Sequence, residues 1–275
     1  MTVRSSVPSV VATVLAVGLA AACAKETPSA ADACAIQFGR PNDQTGLTAA
    51  QCRPQCDCGG TVFAPPTYDA AFVRALAEDW AHAEPYPPLT SNPYEAPAPP
   101  DDPSDTVCGV LPTGPAGSRP RAYRLVTYSS EGAARAAGAS PTHFGHCGVC
   151  STLGNLAVYV RENDLTAPVR ACGLLHPAPA DNVACLQALG FDLPCAQVWS
   201  FNTAHTRSAC LAPCLAAISQ PYNLPDGRLN DCIRCDEEQS GAVFKGAAGR
   251  TRRNSGLPNA LCRPCAEVRP LVHAY

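Results

Sequence analysis

The sequence predicts a mainly α-helical, disulfide-rich fold with a minor β element, built as a small N-terminal module plus a larger helical domain. Three observations lead there. The 275 residues include 17 cysteines, a density typical of chains that fold in an oxidising compartment. Apolar residues recur at spacings of three and four through most of the second half, while convincing alternation occurs in one stretch only. Twenty-eight prolines, 16% charged and 6% aromatic residues describe a loop-rich chain whose modest core calls for covalent support.

Residues 1–22 supply Arg4 and then an apolar run from Val7 to Ala22, interrupted by Pro8. A basic residue followed by a short apolar stretch is the order of an export signal, and the run is shorter than the roughly 20 residues a spanning helix needs. The junction Leu19-Ala20-Ala21-Ala22-Cys23 resembles the lipobox of bacterial lipoproteins, in which small residues admit the signal peptidase and the cysteine receives diacylglycerol. The resemblance covers this N-terminus alone. It implies a chain anchored to a membrane through Cys23, and Ala24, standing where an aspartate would favour inner-membrane retention, points to the outer membrane of the cell envelope. Residues 23–33, small and polar, form a tether.

Setting Cys23 aside leaves an even sixteen: Cys34, Cys52, Cys56, Cys58, Cys108, Cys147, Cys150, Cys172, Cys185, Cys195, Cys210, Cys214, Cys232, Cys235, Cys262 and Cys265. Complete pairing requires an even number, and each native bridge contributes about 2–5 kcal/mol to a small domain. Connectivity is not readable from spacing when so many cysteines are present.

The 34–83 segment reads as a stapled module in which Cys34, Cys52, Cys56 and Cys58 make two bridges among themselves. A helix is expected from Tyr68 to His82, capped by Thr67 or Asp69, with Phe72, Val73, Leu76 and Trp80 on one face. Residues 84–106 carry eight prolines and read as an extended linker or surface strap, because proline fixes φ and removes a donor. In the 107–275 domain, residues 121–130 alternate as a strand. Ser151 is expected to cap a helix bearing Leu153, Leu156, Ala157 and Val160. Further helices open near Thr166, near Asp181 with a stop at Gly190, and at Asp192, and a last one spans Leu229 to about Ala247.

A net charge of −3 and pI near 6.0 give no electrostatic case for nucleic acid. No nucleophile elbow, metalloprotease helix, phosphate loop or dinucleotide fingerprint is present. The richest cluster is Pro141 to Cys150, where His143 and His146 stand beside Cys147 and Cys150. Its residue types suit zinc or copper, its Cys-x-x-Cys suits a redox dithiol, and its setting suits two structural bridges to distant cysteines, which is the favoured reading. Cys232, Cys235, Cys262 and Cys265 follow zinc-ribbon grammar that an oxidising compartment converts into bridges. Between them runs the densest charged segment, 236–256, which reads first as a set of local ion pairs fixing a loop on a helix; in the functional reading Arg250, Arg252, Arg253 and Asn254 are suited to grip an anion and Glu237 to serve as an acid or base. His205, sharing a helical stretch with Trp199 and Asn202, reads as a packed or surface residue.

The expectation is therefore an exported, lipid-anchored binding or structural protein that recognises an envelope or extracellular ligand. Two alternatives stand beside it. One is an extracellular enzyme using His143, His146, Glu237 and Arg252, with a metal at His143 and His146. The other is a thiol-disulfide oxidoreductase using Cys147 and Cys150.

Overall fold

A computed structural model of the chain describes Met1, residues 34–97, Pro103, and residues 105–115 and 117–275. The signal segment 1–22, the lipidation candidate Cys23 and the tether lie outside the described residues, as do 98–102 and Ser104 of the linker.

The architecture is mixed α and β, with helix predominating. In chain order the described elements are β1 (Gln37–Phe38), β2 (Cys52–Arg53), β3 (Cys56–Cys58), β4 (Thr61–Phe63), α1 (Ala70–Glu78), β5 (Trp80–His82), β6 (Val107–Pro112) and β7 (Arg121–Tyr128). They continue with α2 (Glu131–Ala136), β8 (Ser140–Phe144), α3 (Leu153–Arg161), α4 (Thr166–Leu175), α5 (Pro179–Ala188), α6 (Leu193–Ala216), α7 (Asp231–Ala248) and β9 (Arg263–Pro264). No described helix is long and apolar enough to cross a membrane.

The helix starts follow local chemistry. The carboxylate of Asp69 accepts from the Phe72 amide, that of Asp192 from Cys195 and the Asn230 side-chain oxygen from Ile233, each satisfying a donor that the first turn leaves open. At α3 the cap is Thr152, not Ser151. The helix expected to run to His82 ends at Glu78, and residues 80–82 turn into β5, which pairs in parallel with β7. Pro213, which removes a ladder donor inside α6, lies three residues after Cys210, where the backbone leaves helical geometry (φ −122°) and the helix bends.

The expected strand is β7, and it belongs to a four-stranded sheet ordered β5-β7-β6-β8. Its partner β6 and the edge strand β8 escaped the sequence reading: β6 carries a glycine and a proline in six residues, and β8 coincides with the histidine cluster. The main core joins this sheet to the helices, burying Leu76 of α1, Val110 and Tyr123 of the sheet, Leu153 and Leu156 of α3, Leu186 of α5 and Val198 of α6. Burial of apolar side chains of this size stabilises by about 1.5–3 kcal/mol each.

All sixteen cysteines pair: Cys34–Cys58, Cys52–Cys262, Cys56–Cys265, Cys108–Cys147, Cys150–Cys195, Cys172–Cys185, Cys210–Cys235 and Cys214–Cys232. The N-terminal cysteines were expected to close among themselves, and only Cys34–Cys58 does. Cys52 and Cys56 instead reach the far end of the chain, where β1 also pairs with β9. A sheet contact between the two ends brings those sulfurs within bridging distance, which spacing along the chain could not reveal. Eight bridges are the signature of a protein that folds in an oxidising, extracytoplasmic setting.

The proline-rich segment behaves as a strap. The Leu89 amide donates to Gln197 Oε1 at 2.7 Å, and the Tyr94 hydroxyl donates to Asn202 Oδ1 at 2.5 Å, so the segment lies across α6. Tyr86 and Leu89 pack on the main core, so this stretch contributes apolar anchors as well as hydrogen bonds.

Candidate functional site

The charged segment 250–256 separates its arginines between two surroundings. Arg250 is fully buried, and it lies where Gly148 and Gly249 let two backbones touch: a Cβ on Gly148 would fall 2.5 Å from the Gly249 nitrogen, and Gly249 itself has φ +74°. The guanidinium donates to the carbonyls of Cys150 (3.2 Å), Thr142 (2.9 Å) and Ser151 (2.9 Å) and to Thr142 Oγ1 (2.6 Å). Carbonyl dipoles, rather than a carboxylate, hold this charge.

His143 is buried beside it. Its Nδ1–H donates to the Phe144 carbonyl at 3.0 Å, which leaves Nε2 to accept from the Ser151 hydroxyl at 2.7 Å, while Ser151 Oγ accepts from the Gly148 amide. Ser151, expected as a cap, is therefore the histidine's partner. Burial, and the Arg250 charge next, hold the His143 pKa well below the ordinary histidine value. His273, bound to Ser255 O and Tyr275 Oη at 2.9 Å each, is pulled down to about 3, again mainly by burial. Asn254 donates to the carbonyls of Phe144 and Gly249. His146 donates to the Gly246 carbonyl at 2.7 Å.

The structure thus brings the 143–150 and 249–255 segments together, as a polar knot closed to solvent. Fully buried, His143 and Arg250 offer no face to a substrate. Cys147 and Cys150 do not form a dithiol, since each bridges elsewhere, and the four ribbon-like cysteines are likewise in four separate bridges. Among the described residues no group of three or more His, Cys, Asp or Glu side chains is placed to hold a metal ion.

Arg252, Arg253 and Glu237 face the other way, into a cleft of about 330 Å³ between α4, α6, α7 and the 251–263 segment. That volume lies at the small end of the range for small-molecule sites. Disulfides Cys210–Cys235 and Cys214–Cys232 fix α6 to α7 along it, and Gly173 lets α4 approach Thr203 of α6, where a Cβ would meet the threonine methyl at 2.6 Å. Its walls include Leu165, Val169, Ile233 and Phe244. Its mouth carries Leu174, Leu211, Leu215 and Ile218, each more than half exposed, an apolar cluster that a monomeric surface ordinarily hides.

At the inner end Arg252 is buried and donates to the carbonyls of Pro258 (3.0 Å) and Glu162, its guanidinium 5.6 Å over the Tyr159 ring. Desolvation brings its pKa down to about 10, leaving it charged at neutral pH. The Tyr159 hydroxyl, the Trp199 indole N–H and Asn259 Oδ1 are all buried there, and among the described residues none completes a hydrogen bond, although the indole N–H approaches the Tyr159 oxygen. Such groups are rare in native interiors and cost about 1–3 kcal/mol each. Glu237 is neutralised by Arg253 at 2.6 Å and Arg263 at 2.5 Å. Asp236, whose carboxyl accepts from Thr206 and Asn202, is pushed up by burial. Behind it His205 bonds Ser240 Oγ at 2.9 Å and stacks on Tyr94 of the strap, so this histidine fastens the cleft's outer wall.

Sequence reasoning found Arg252, Arg253 and Glu237 but not the cleft they line, because Tyr159, Trp199 and the exposed leucines come from helices whose apolar faces read as core. The available signal was Leu211, Leu215 and Ile218, at helical spacing beside the kink-forming Pro213.

Fold and site together define a disulfide-clamped helical protein with an open cleft. Residues 179–270, about a third of the chain, match the model of a family of unknown function (DUF8771). The matched stretch covers α5, α6, α7 and the arginine segment, and so two of the cleft's three helices. The chain matches no curated protein and no solved structure.

Proposed function

We propose that this is an exported envelope lipoprotein, anchored through Cys23 to the outer membrane, whose described domain binds a small amphipathic molecule in the α4–α6–α7 cleft. One observation carries the reading: a preformed cleft of about 330 Å³ opens through exposed leucines and ends at buried polar atoms without partners. Helices clamped by disulfides keep such a cleft open without a ligand, so little ordering cost opposes binding. Eight bridges accord with export, and the lipobox resemblance supplies the anchor.

The uncharged dye Nile red tests the cleft. The full oxidised chain with Cys23→Ser, which keeps lipid and detergent out of the assay, is expected to enhance the dye's emission saturably at one site. Leu215→Arg is expected to weaken that binding about tenfold with unchanged circular dichroism. Dye emission that rises without saturation, or that ignores Leu215→Arg, defeats the binding reading. Mass spectrometry of the wild-type N-terminus tests the anchor: an unmodified Cys23 thiol, or processing elsewhere, removes it.

A further inference from the structure

We infer that the cleft selects an anionic single-chain amphipath of the fatty-acid class, with its head group at Arg252, Tyr159 and Trp199 and its alkyl chain running out between Val169 and the leucines of the mouth. This rests on the binding reading above and adds the sign and position of the head.

Three observations converge. The first is charge. Five arginines, Arg170, Arg207, Arg252, Arg253 and Arg263, line the cleft against two carboxylates, Asp236 and Glu237, in a chain whose net charge is −3. Glu237 is engaged by two of those arginines, and the Asp236 carboxylate by Thr206 and Asn202. Among the described residues Arg252 makes no salt bridge, the Asp164 and Glu162 carboxylates acting on it only at longer range; it is 7% exposed and held by carbonyls. An anion brought to it gains a charge-assisted bond in a desolvated site, where such bonds are strongest.

The second is donor chemistry. Among the described residues the Tyr159 O–H has no acceptor, and the Trp199 N–H approaches only the Tyr159 oxygen without completing a bond to it; Tyr159 is 2% exposed. With the guanidinium they present three kinds of donor at one end of the cleft. Indole and guanidinium cannot accept at all, so a carboxylate, which only accepts, can bond to all three, whereas an ammonium head finds acceptors only in the Tyr159 oxygen and Asn259 Oδ1, beside the guanidinium charge.

The third is the gradient from that end to the mouth. Polar atoms gather at the inner end, while Leu165 and Val169 lead to Leu211, Leu215 and Ile218 at the opening. A polar head followed by a narrow apolar chain matches this order. A compact polar anion would leave the leucines wet, and a wholly apolar ligand would leave the inner donors unpaired.

The test uses dodecanoate, dodecanol and dodecyltrimethylammonium as probes on the full oxidised chain carrying Cys23→Ser. The chain has two tryptophans, so Trp80→Phe leaves Trp199 as the sole indole emitter inside the cleft. Dodecanoate is expected to shift that emission saturably and to displace Nile red at least about tenfold more tightly than dodecanol, with the cation weakest, as a hydrogen bond to a charged group predicts. Arg252→Met is expected to abolish the preference. Because that change also strands the Glu162 and Pro258 carbonyls, Tyr159→Phe, which removes one oxygen only, serves as the second variant. It is expected to weaken dodecanoate about tenfold and to move dodecanol by less than about threefold. Equal binding of dodecanoate and dodecanol, or a Tyr159→Phe protein that holds dodecanoate undiminished, overturns the head-group assignment while Nile red binding leaves the cleft intact. Failure of all three probes to displace the dye overturns both.

Discussion

Two polar regions built from neighbouring residues of one segment behave in opposite ways. In the knot, Arg250, His143, Ser151, Asn254 and His273 are buried and every polar group named has a partner. In the cleft two residues further on, Arg252 borders polar atoms that lack partners among the described residues, and leucines face solvent at the opposite end. The same residue type fastens the fold in one place and leaves chemistry unspent in the other. Position in a charged run says nothing about this difference. What decides it is whether the surrounding backbone supplies enough carbonyls to satisfy the guanidinium, and whether the space beside it is filled.

The sharpest way to break this contrast is to remove one arginine from each region, Arg250 from the knot and Arg253 from the cleft. Arg250→Met strands the three carbonyls that its guanidinium holds, and is expected to cost roughly 3–5 kcal/mol in urea unfolding of the oxidised protein. Arg253→Ala, which loses only half-exposed pairs with Glu237 and Glu267, is expected to cost no more than about 1 kcal/mol. Similar losses would show that the knot is not the tighter of the two regions.

Acid distinguishes them next. His143 and His273 are buried neutral, with folded pKa values below the unfolded value of about 6.5. The unfolded chain therefore binds more protons as pH falls, and the stability these residues carry is full above about pH 6.5 and is lost as pH drops toward the folded value, which for His273 is about 3. Each contributes a slope of up to about 1.4 kcal/mol per pH unit in that window. Unfolding midpoints that stay level between pH 6.5 and 5 would contradict neutral burial of the pair. His273→Gln is expected to flatten the slope.

The smallest effect belongs to the cleft's rim. Leu215→Ser, at a residue 60% exposed, is expected to change stability by less than about 0.5 kcal/mol while reducing Nile red affinity severalfold. A stability loss of core size there would mean that the leucine packs rather than lines an opening.

Legibility followed the range of the interaction concerned. Asp69, Asp192 and Asn230 each bond an amide three residues on, so the first two were read directly as caps, and the last helix was placed within two residues of its start. Ser151 was misread because its hydroxyl is claimed by His143, whose position depends on a β-strand that glycine and proline in its neighbour had obscured. The enzyme reading joined the segments 143–150 and 236–254; Arg250 and Asn254 meet the first of these, while Glu237 and Arg252 line the cleft instead. The meeting in the knot closes it to solvent, an outcome of the Gly148–Gly249 contact and invisible to residue type.

The chain alone determined the even set of sixteen cysteines, the helical bulk and its caps, because parity is arithmetic and capping is local. Only the tertiary structure decided that Cys52 and Cys56 reach past two hundred residues to Cys262 and Cys265, and that Tyr159, Trp199, Arg252 and Asn259 surround one space. A disulfide or a cleft depends on distances of a few ångströms between segments far apart along the backbone, and those distances exist only once the whole chain has packed.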